Sequence, residues 1–139
     1  MSPKQTILIV DDTPLNIVLL KEMLQENYLI LEAASGELAL EVLSKTRPDL
    51  ILLDITMPPG MNGYEVCRTL KSWPETASIP VIFVSALSQV GDESQGFDAG
   101  AVDYITKPVN VDLVLARVKI HLMLADQQRA TEQQIREKT

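Results

Sequence analysis

The segment Leu50–Pro58, which reads LILLDITMP, decides how the rest of the chain is interpreted. Its four leading apolar residues follow one another without alternation, which is typical of a strand buried on both faces in a parallel sheet. The apolar run ends at Asp54, and Pro58, Pro59 and Gly60 then mark a turn. In open α/β sheets, sites form beyond the carboxyl ends of the strands. Asp54 is therefore the first candidate for chemistry.

The composition is that of a globular domain with a core of ordinary size. Of the 139 residues, 46% are apolar and 22% are charged, and the formal net charge is −7. This acidity argues against direct nucleic-acid binding. The apolar runs are too short to cross a membrane, and the N-terminal residues lack a signal-peptide core. A single cysteine, Cys67, excludes an internal disulfide and favours a cytoplasmic protein. A single histidine, His121, excludes a histidine metal cluster, and we expect no Ser-His-Asp triad.

Five short apolar runs alternate with segments of helical periodicity. The runs predict strands at residues 6–10, 28–33, 50–54, 79–84 and 102–105. Residues that open or cap helices stand between them: Thr13-Pro14, Ser35-Gly36, Asn62 with Glu65, and Asn110. Such alternation predicts a parallel sheet with helices on both faces. Right-handed crossovers then favour a doubly wound, five-stranded flavodoxin-like sheet with strand order 2-1-3-4-5.

The helical segments differ in how clearly they are marked. In the first helix, the residues expected to form the buried face are Leu15, Val18, Leu19, Met23 and Leu24. Residues 89–98 are weakly apolar and predict a short, labile helix that ends near Gly100. The apolar stripe expected on the last helix is Leu113, Leu115, Val118, Leu122 and Ala125. From Gln127 onward this helix is nearly all polar, as helices that extend toward a partner often are. We therefore expect a domain at 1–125 and a helical extension or linker at 126–139.

Polar side chains end four of the five predicted strands: Asp11-Asp12, Asp54, Ser85 and Lys107. Each has an ordinary alternative, since paired aspartates can cap a helix, a serine can serve a turn and a lysine can be a surface charge. In the predicted topology, however, all four strand ends lie at one edge of the sheet. Neighbouring carboxylates repel one another, and a divalent cation relieves that repulsion. Oxygen ligands without histidine or cysteine indicate Mg²⁺ or Mn²⁺.

A lysine and a hydroxyl beside such a cation suit a second anion, and a phosphoryl group is the simplest candidate. Lys107 would supply a positive charge and Ser85 a hydrogen bond. The nucleophile would be a carboxylate, since aspartate can form an aspartyl phosphate.

Together these motifs resemble the receiver domain of two-component response regulators over about residues 5–125. The matching motifs are Asp11-Asp12, the D-x-x-M-P element that begins at Asp54, Ser85-Ala86 and Lys107-Pro108. The resemblance implies that Asp54 is the phosphoacceptor and that Asp12 and Asp54 bind Mg²⁺ directly. It further implies the Thr56 backbone carbonyl as another metal ligand and a water-mediated role for Asp11.

The resemblance also implies how the domain acts. Lys107 and Ser85 would contact the phosphoryl oxygens, and Ser85 and Tyr104 would act as switch residues. The donor would be a sensor histidine kinase or a phosphotransfer protein, and the receiver would catalyse its own phosphorylation and dephosphorylation rather than act as an enzyme on a separate substrate. No direct contact with nucleic acid or membrane is expected. The last helix could lead to an effector domain, such as a cyclic-di-GMP enzyme, or could pair two receivers as a homodimer.

One departure and three alternatives remain. Family members usually have one residue between the Met-Pro pair and the next methionine, whereas Pro59 and Gly60 both precede Met61 here.

A degenerate receiver could act as a phosphorylation-independent binding module, although it would be expected to lack part of the acidic or lysine set. A haloacid-dehalogenase-type phosphatase would carry a second aspartate where Thr56 stands. A nucleotide-binding flavodoxin-like domain would carry a glycine-rich loop after the first strand.

Overall fold

The computed structural model describes residues 4–86 and 97–138, with side chains described as far as residue 132. Within these ranges the strands are β1 (Thr6–Val10), β2 (Leu29–Ala33), β3 (Leu50–Leu53), β4 (Val81–Ser85) and β5 (Asp103–Thr106). The helices are α1 (Pro14–Leu24), α2 (Gly36–Lys45), α3 (Gly63–Ser72) and α4 (Val111–Lys138). The labile helix expected at residues 89–98 lies almost entirely outside the described residues.

The five strands form one parallel sheet in the order β2-β1-β3-β4-β5. This confirms the flavodoxin-like order predicted from the sequence. The register sets Val10 opposite Leu53, Leu53 opposite Phe83, and Ser85 opposite Thr106. Because all strands run the same way, the residues that follow β1, β3, β4 and β5 lie at a common edge of the sheet, which we call the carboxyl edge.

The core lies on both faces of the sheet, as the alternation of elements predicted. On one face α2 and α3 pack against β3 through Ile51 and Leu53. On the other face α1 and α4 pack against Leu50 and Leu52 of the same strand. All four β3 side chains are at most 1% exposed, which explains why their sequence is apolar without alternation. Burying each one contributes about 1.5–3 kcal/mol relative to leaving it in water.

Side chains cap three of the four helices described. Asn62 and Glu65 form a reciprocal capping box at α3, with distances of 2.9 and 3.1 Å between the paired nitrogen and oxygen atoms. The Ser35 hydroxyl accepts the Leu38 N–H at α2, and the Asn110 side chain accepts the Leu113 N–H at α4. Each such cap stabilises its helix by about 1 kcal/mol.

The predicted apolar face of α1 is partly right, since Leu24 is buried and Met23 packs against the core. Leu15, Val18 and Leu19 are 64%, 49% and 42% exposed, whereas the buried α1 residues are Ile17, Leu20 and Leu24. Helix α1 is apolar around most of its circumference, so two apolar stripes fit helical spacing equally well. Contact with the sheet, rather than periodicity, selects the one that is buried. In the last helix the expected stripe is partly right, since Val118 and Leu122 are buried but Leu113 is exposed.

Helix α4 is 28 residues long and continues without interruption past residue 125. The division into a domain at 1–125 and an extension at 126–139 therefore stays a prediction. No helix among the described residues combines the length and the apolar character that a membrane crossing requires.

Candidate functional site

Three carboxylates converge at the carboxyl edge. Asp11, Asp12 and Asp54 each offer an oxygen, and these oxygens all lie within 4.8 Å of one another. Backbone pairing of the neighbouring strands brings them together, because the Asp54 N–H donates to the Val10 carbonyl at 2.9 Å. Asp11 and Asp54 are 1% and 6% exposed, and Asp12 is open to solvent. The cluster is therefore an acidic pocket in which two carboxylates are buried and one faces solvent.

Lys107 is the cation that contacts this cluster among the described residues. Its Nζ lies 2.9 Å from an Asp11 oxygen and 3.6 Å from an Asp54 oxygen. The lysine follows β5, and its backbone N–H donates to the Ser85 carbonyl at 2.8 Å. One ammonium group thus faces three carboxylates, which leaves the cluster with excess negative charge.

Asp11 is oriented by hydrogen bonds from the first turn after β1. One of its carboxylate oxygens accepts the Thr13 N–H at 2.9 Å and the Asn16 side-chain amide at 3.4 Å. The other oxygen takes the Lys107 contact. Neither bond comes from a backbone N–H of α1, so Asp11 does not cap this helix, and the bonds instead fix its carboxylate within the pocket. Sequence reasoning missed Asn16, which no motif marks.

The electrostatics of the cluster show most clearly in Asp54. Burial, reinforced by the charges of Asp11 and Asp12, raises the pKa of this carboxyl from its ordinary 3.8 to about 6. The positive charge of Lys107 and a hydrogen bond from the Ile55 N–H oppose the rise without cancelling it. The ionised form of Asp54 is thus disfavoured in the folded protein, and a bound cation would relieve that penalty.

The two predicted switch residues lie at different depths. Ser85 ends β4 at the carboxyl edge and is buried, next in strand order to Asp54. Tyr104 lies on β5 and is half-buried, with its ring 6.5 Å from the ring of Phe83. Phe83 in turn makes an edge-to-face contact with Tyr64 of α3 at 5.3 Å. Tyr104 therefore ends a row of three aromatic rings on the sheet face that α2 and α3 cover.

The loop between β3 and α3 begins at the acidic pocket. Thr56, the predicted carbonyl ligand, is exposed two residues beyond Asp54. At the far end of the loop, a Cβ on Gly63 would lie 2.3 Å from the Asp54 carbonyl oxygen, so this position requires glycine. The Gly63 N–H donates to the Ile55 carbonyl at 2.7 Å. Gly63 thus ties the start of α3 to the segment that holds Asp54 and Ile55.

Sequence reasoning also missed Glu37, whose carboxylate accepts the Met61 N–H at 2.6 Å. These two residues are 24 positions apart, and no local pattern could have paired them.

This strand order, with an acidic pocket at the carboxyl edge, defines a flavodoxin-like α/β domain with a candidate cation site. The family model described as the response regulator receiver domain matches residues 7–119. The chain belongs to the response regulator receiver family. Because Asp54, Lys107 and both neighbouring aspartates are present and assembled, the degenerate receiver is not the favoured alternative.

Relatives and solved structures agree with this assignment. The chain is 50% identical over 117 residues to a probable cyclic di-GMP phosphodiesterase of Vibrio cholerae, which covers 84% of this chain and 26% of that protein. It is 39% identical over 113 residues to protein PilH of Pseudomonas aeruginosa, covering 81% of this chain and 93% of PilH. The chain thus spans about a quarter of the length of the first relative and nearly all of the second.

A solved receiver domain is also similar. It belongs to the sensor histidine kinase PA1611 of Pseudomonas aeruginosa and has a magnesium ion coordinated in its active-site cleft. Its TM-score is 0.80 at 27% identity, and the match covers 86% of this chain and 98% of that one.

Proposed function

We propose that this receiver accepts a phosphoryl group on Asp54 in a Mg²⁺-dependent reaction and switches its conformation in response. The observation that carries the proposal is the arrangement of three carboxylates within 4.8 Å of one another, with Lys107 against two of them. Asp54 is the member that combines burial, a raised pKa and a position at the end of the central strand. Perturbed carboxyls of this kind are typical of functional sites.

The donor set fits Mg²⁺, with Mn²⁺ as a substitute. Asp12 and Asp54 would bind the ion directly, the Thr56 carbonyl would add a ligand, and Asp11 would act through water. Hard divalent cations prefer such oxygen ligands and retain water molecules. When bound, the ion would offset the negative charge of the carboxylates and of the incoming phosphoryl group.

The chain's own residues would carry out the transfer by position and charge. An Asp54 oxygen forms the new P–O bond while the P–N bond to the donor's phosphohistidine breaks, and the imidazole nitrogen keeps the electron pair of that bond. Lys107 already lies between Asp11 and Asp54, so its ammonium group can turn toward the phosphoryl oxygens without leaving the pocket. The Ser85 hydroxyl would supply a hydrogen bond. Because these groups are preorganised, the receiver would catalyse both its phosphorylation and its dephosphorylation.

Phosphorylation would then bias a switch. The new group brings about −1.5 to −2 charges to the buried edge. Ser85 would move to bind the added oxygens, and Tyr104 would fill the space that Ser85 leaves. The result is a population shift between pre-existing conformations, and its size is limited by the contacts that differ between them.

The partners follow from this chemistry. The donor would be a sensor histidine kinase or phosphotransfer protein, which places the reaction in the cytoplasm. The output would come from an effector domain after the extension at 126–139, in keeping with a first relative about four times as long as the matched region. Exposed apolar residues on α4, such as Ile120 and Met123, would suit a homodimer.

The proposal is tested by intact-mass measurement after incubation with acetyl phosphate and Mg²⁺. We expect the mass of one phosphoryl group to be added, with no addition in EDTA or in Asp54→Asn. The matched control is Asp49→Asn, which neutralises an aspartate at the opposite end of β3. Phosphoryl addition to Asp54→Asn would contradict the assignment of the phosphoacceptor.

A further inference from the structure

The loop between β3 and α3 is where the sequence departs from the motif expected for the family. Pro59 and Gly60 make it one residue longer, and it begins directly after the acidic pocket. Its base is closed by the hydrogen bond from the Gly63 N–H to the Ile55 carbonyl. The predicted metal ligand Thr56 lies immediately beyond that closure and is exposed. Met57, the next residue, is buried in the core at 3% exposure, so the part of the loop that needs a further contact is residues 58–61, its outer arm.

The first turn of α2 provides a second point of attachment. There Glu37 accepts the Met61 N–H through one carboxylate oxygen at 2.6 Å. The preceding residue, Gly36, is also close, since a Cβ on it would lie 3.1 Å from the Met61 Cβ. Helix α2 therefore contacts the loop through a charged hydrogen bond and through direct packing.

Gly60 makes this attachment sterically possible. A Cβ at this position would lie 2.4 and 2.5 Å from the two carboxylate oxygens of Glu37. Real atoms do not approach so closely, so any larger residue would push the carboxylate away from the loop backbone. The absence of a side chain at Gly60 thus leaves the space that the Glu37 carboxylate occupies.

We infer that Glu37 is a positioning residue of the metal site, which holds the outer arm of the loop so that the Thr56 carbonyl stays in place as a ligand. The inference rests on the proposed Mg²⁺ site. Thr56 lies between the attachment at Ile55 and the attachment at Met61. Removing the Met61 attachment frees the outer arm beyond the buried Met57, and a bound ion would then have to order it again. Glu37 itself does not bind the ion.

The test is the affinity for Mg²⁺, measured by calorimetry on the full chain without any phosphoryl donor. In Glu37→Ala we expect the Kd to rise about fivefold, the size of one lost hydrogen bond. Glu37→Gln keeps an acceptor oxygen at the same reach and should restore most of the affinity. Glu41→Ala is the matched control, because it removes the same charge from the same helix one turn further on. It should leave the Kd unchanged.

A second variant tests the steric part of the inference. Gly60→Ala should weaken Mg²⁺ binding as much as Glu37→Ala does, and the double variant should be no weaker than either single one. Hydrogen exchange of the Met61 amide should accelerate in both single variants. Gly60→Ala also answers the question if Glu37→Ala does not fold.

The inference is overturned if Glu37→Ala binds Mg²⁺ as tightly as the parent chain, or if Glu41→Ala weakens binding equally. Additive effects in the double variant would overturn it as well. Failure of the proposed function looks different, because the parent chain itself would then not be phosphorylated on Asp54 or would bind no Mg²⁺.

Discussion

Two aspartates at opposite edges of the sheet have opposite electrostatic surroundings. Asp54 follows β3 at the carboxyl edge, where burial and neighbouring carboxylates raise its pKa to about 6. Asp103 begins β5 at the amino edge. Partial burial would raise its pKa too, but hydrogen bonds from Arg117, His121 and the Tyr104 N–H hold the pKa below its ordinary value.

The difference lies in the number of partners rather than in burial alone. Asp103 has the side chains of Arg117 and His121 for a single carboxylate, and these fasten β5 to α4. At the other edge, Lys107 is shared between Asp11 and Asp54. A satisfied carboxylate stabilises the fold, whereas an incompletely neutralised one is available to a cation and a phosphoryl group. The same residue type thus has a structural role at one edge and, in the proposed function, a chemical role at the other.

The largest effect is expected when the positive charge of Lys107 is removed from the carboxyl edge. Lys107→Ala should lower the initial rate of Asp54 phosphorylation by acetyl phosphate about 100-fold, because a preorganised charge on the transferring group is lost. Lys119→Ala, which removes an exposed lysine from α4, is the control and should keep the parent rate. Equal rates in Lys107→Ala and the parent chain would show that the lysine does not act on the phosphoryl group.

The second substitution removes the Asp54 carboxylate, whose ionised form is disfavoured in the fold. Asp54 has a folded pKa of about 6, above its unfolded value, so ionisation in the fold costs stability as the pH rises through this range. Asp54→Asn should therefore be more stable than the parent by about 2–3 kcal/mol near neutral pH in EDTA. The gain should vanish near pH 4, where the parent carboxyl is largely protonated in the fold. Urea unfolding at both pH values measures it, and a less stable variant at neutral pH would contradict the account.

The corresponding change at the amino edge should have the opposite sign. The folded pKa of Asp103 is lowered, so its stabilisation is present above the unfolded pKa and disappears as the pH falls through the folded value. Asp103→Asn should lose about 2 kcal/mol near neutral pH and less in acid, because charged hydrogen bonds are lost. Asp112→Asn, in the exposed first turn of α4, serves as the control. An unchanged urea midpoint for Asp103→Asn would show that the Asp103 carboxylate does not stabilise the fold.

The smallest expected effect comes from the ion alone. At ten times its Kd, Mg²⁺ should stabilise the parent chain by about 1.4 kcal/mol. In Asp54→Asn the same concentration should stabilise less, since the negative charge of one direct ligand is lost. Thermal unfolding with and without Mg²⁺ measures both values, with Na⁺ at equal ionic strength as the control. An equal gain in the two proteins would indicate that the ion binds elsewhere.

The sequence predicted the elements whose signal is local. The unbroken apolar run of β3, the Asn62 capping box and the polar strand ends all follow from neighbouring residues, and parallel topology then brings the strand ends together. The first part of the α1 face was wrong because Ile17 and Leu15 are similarly apolar, and only contact with the sheet distinguishes them.

Contacts between distant segments could not be predicted in this way. Glu37 meets Met61 across 24 positions, and His121, which looked isolated in the sequence, meets Asp103 across 18. Such pairs depend on how helices dock on the sheet, which no local pattern records. The roles of individual site residues, including the switch pair Ser85 and Tyr104, remain predictions.

The contrast between the two aspartates is tested most directly by carboxyl-carbon NMR titration of the metal-free chain. Asp54 should titrate near pH 6 and Asp103 below its ordinary range, and Mg²⁺ should lower the pKa of Asp54 while leaving Asp103 unchanged. If Asp54 of the metal-free chain instead titrates at or below the ordinary value of an aspartate, burial and the neighbouring carboxylates do not disfavour its ionised form. The proposed link between excess negative charge and phosphoryl acceptance would then be wrong.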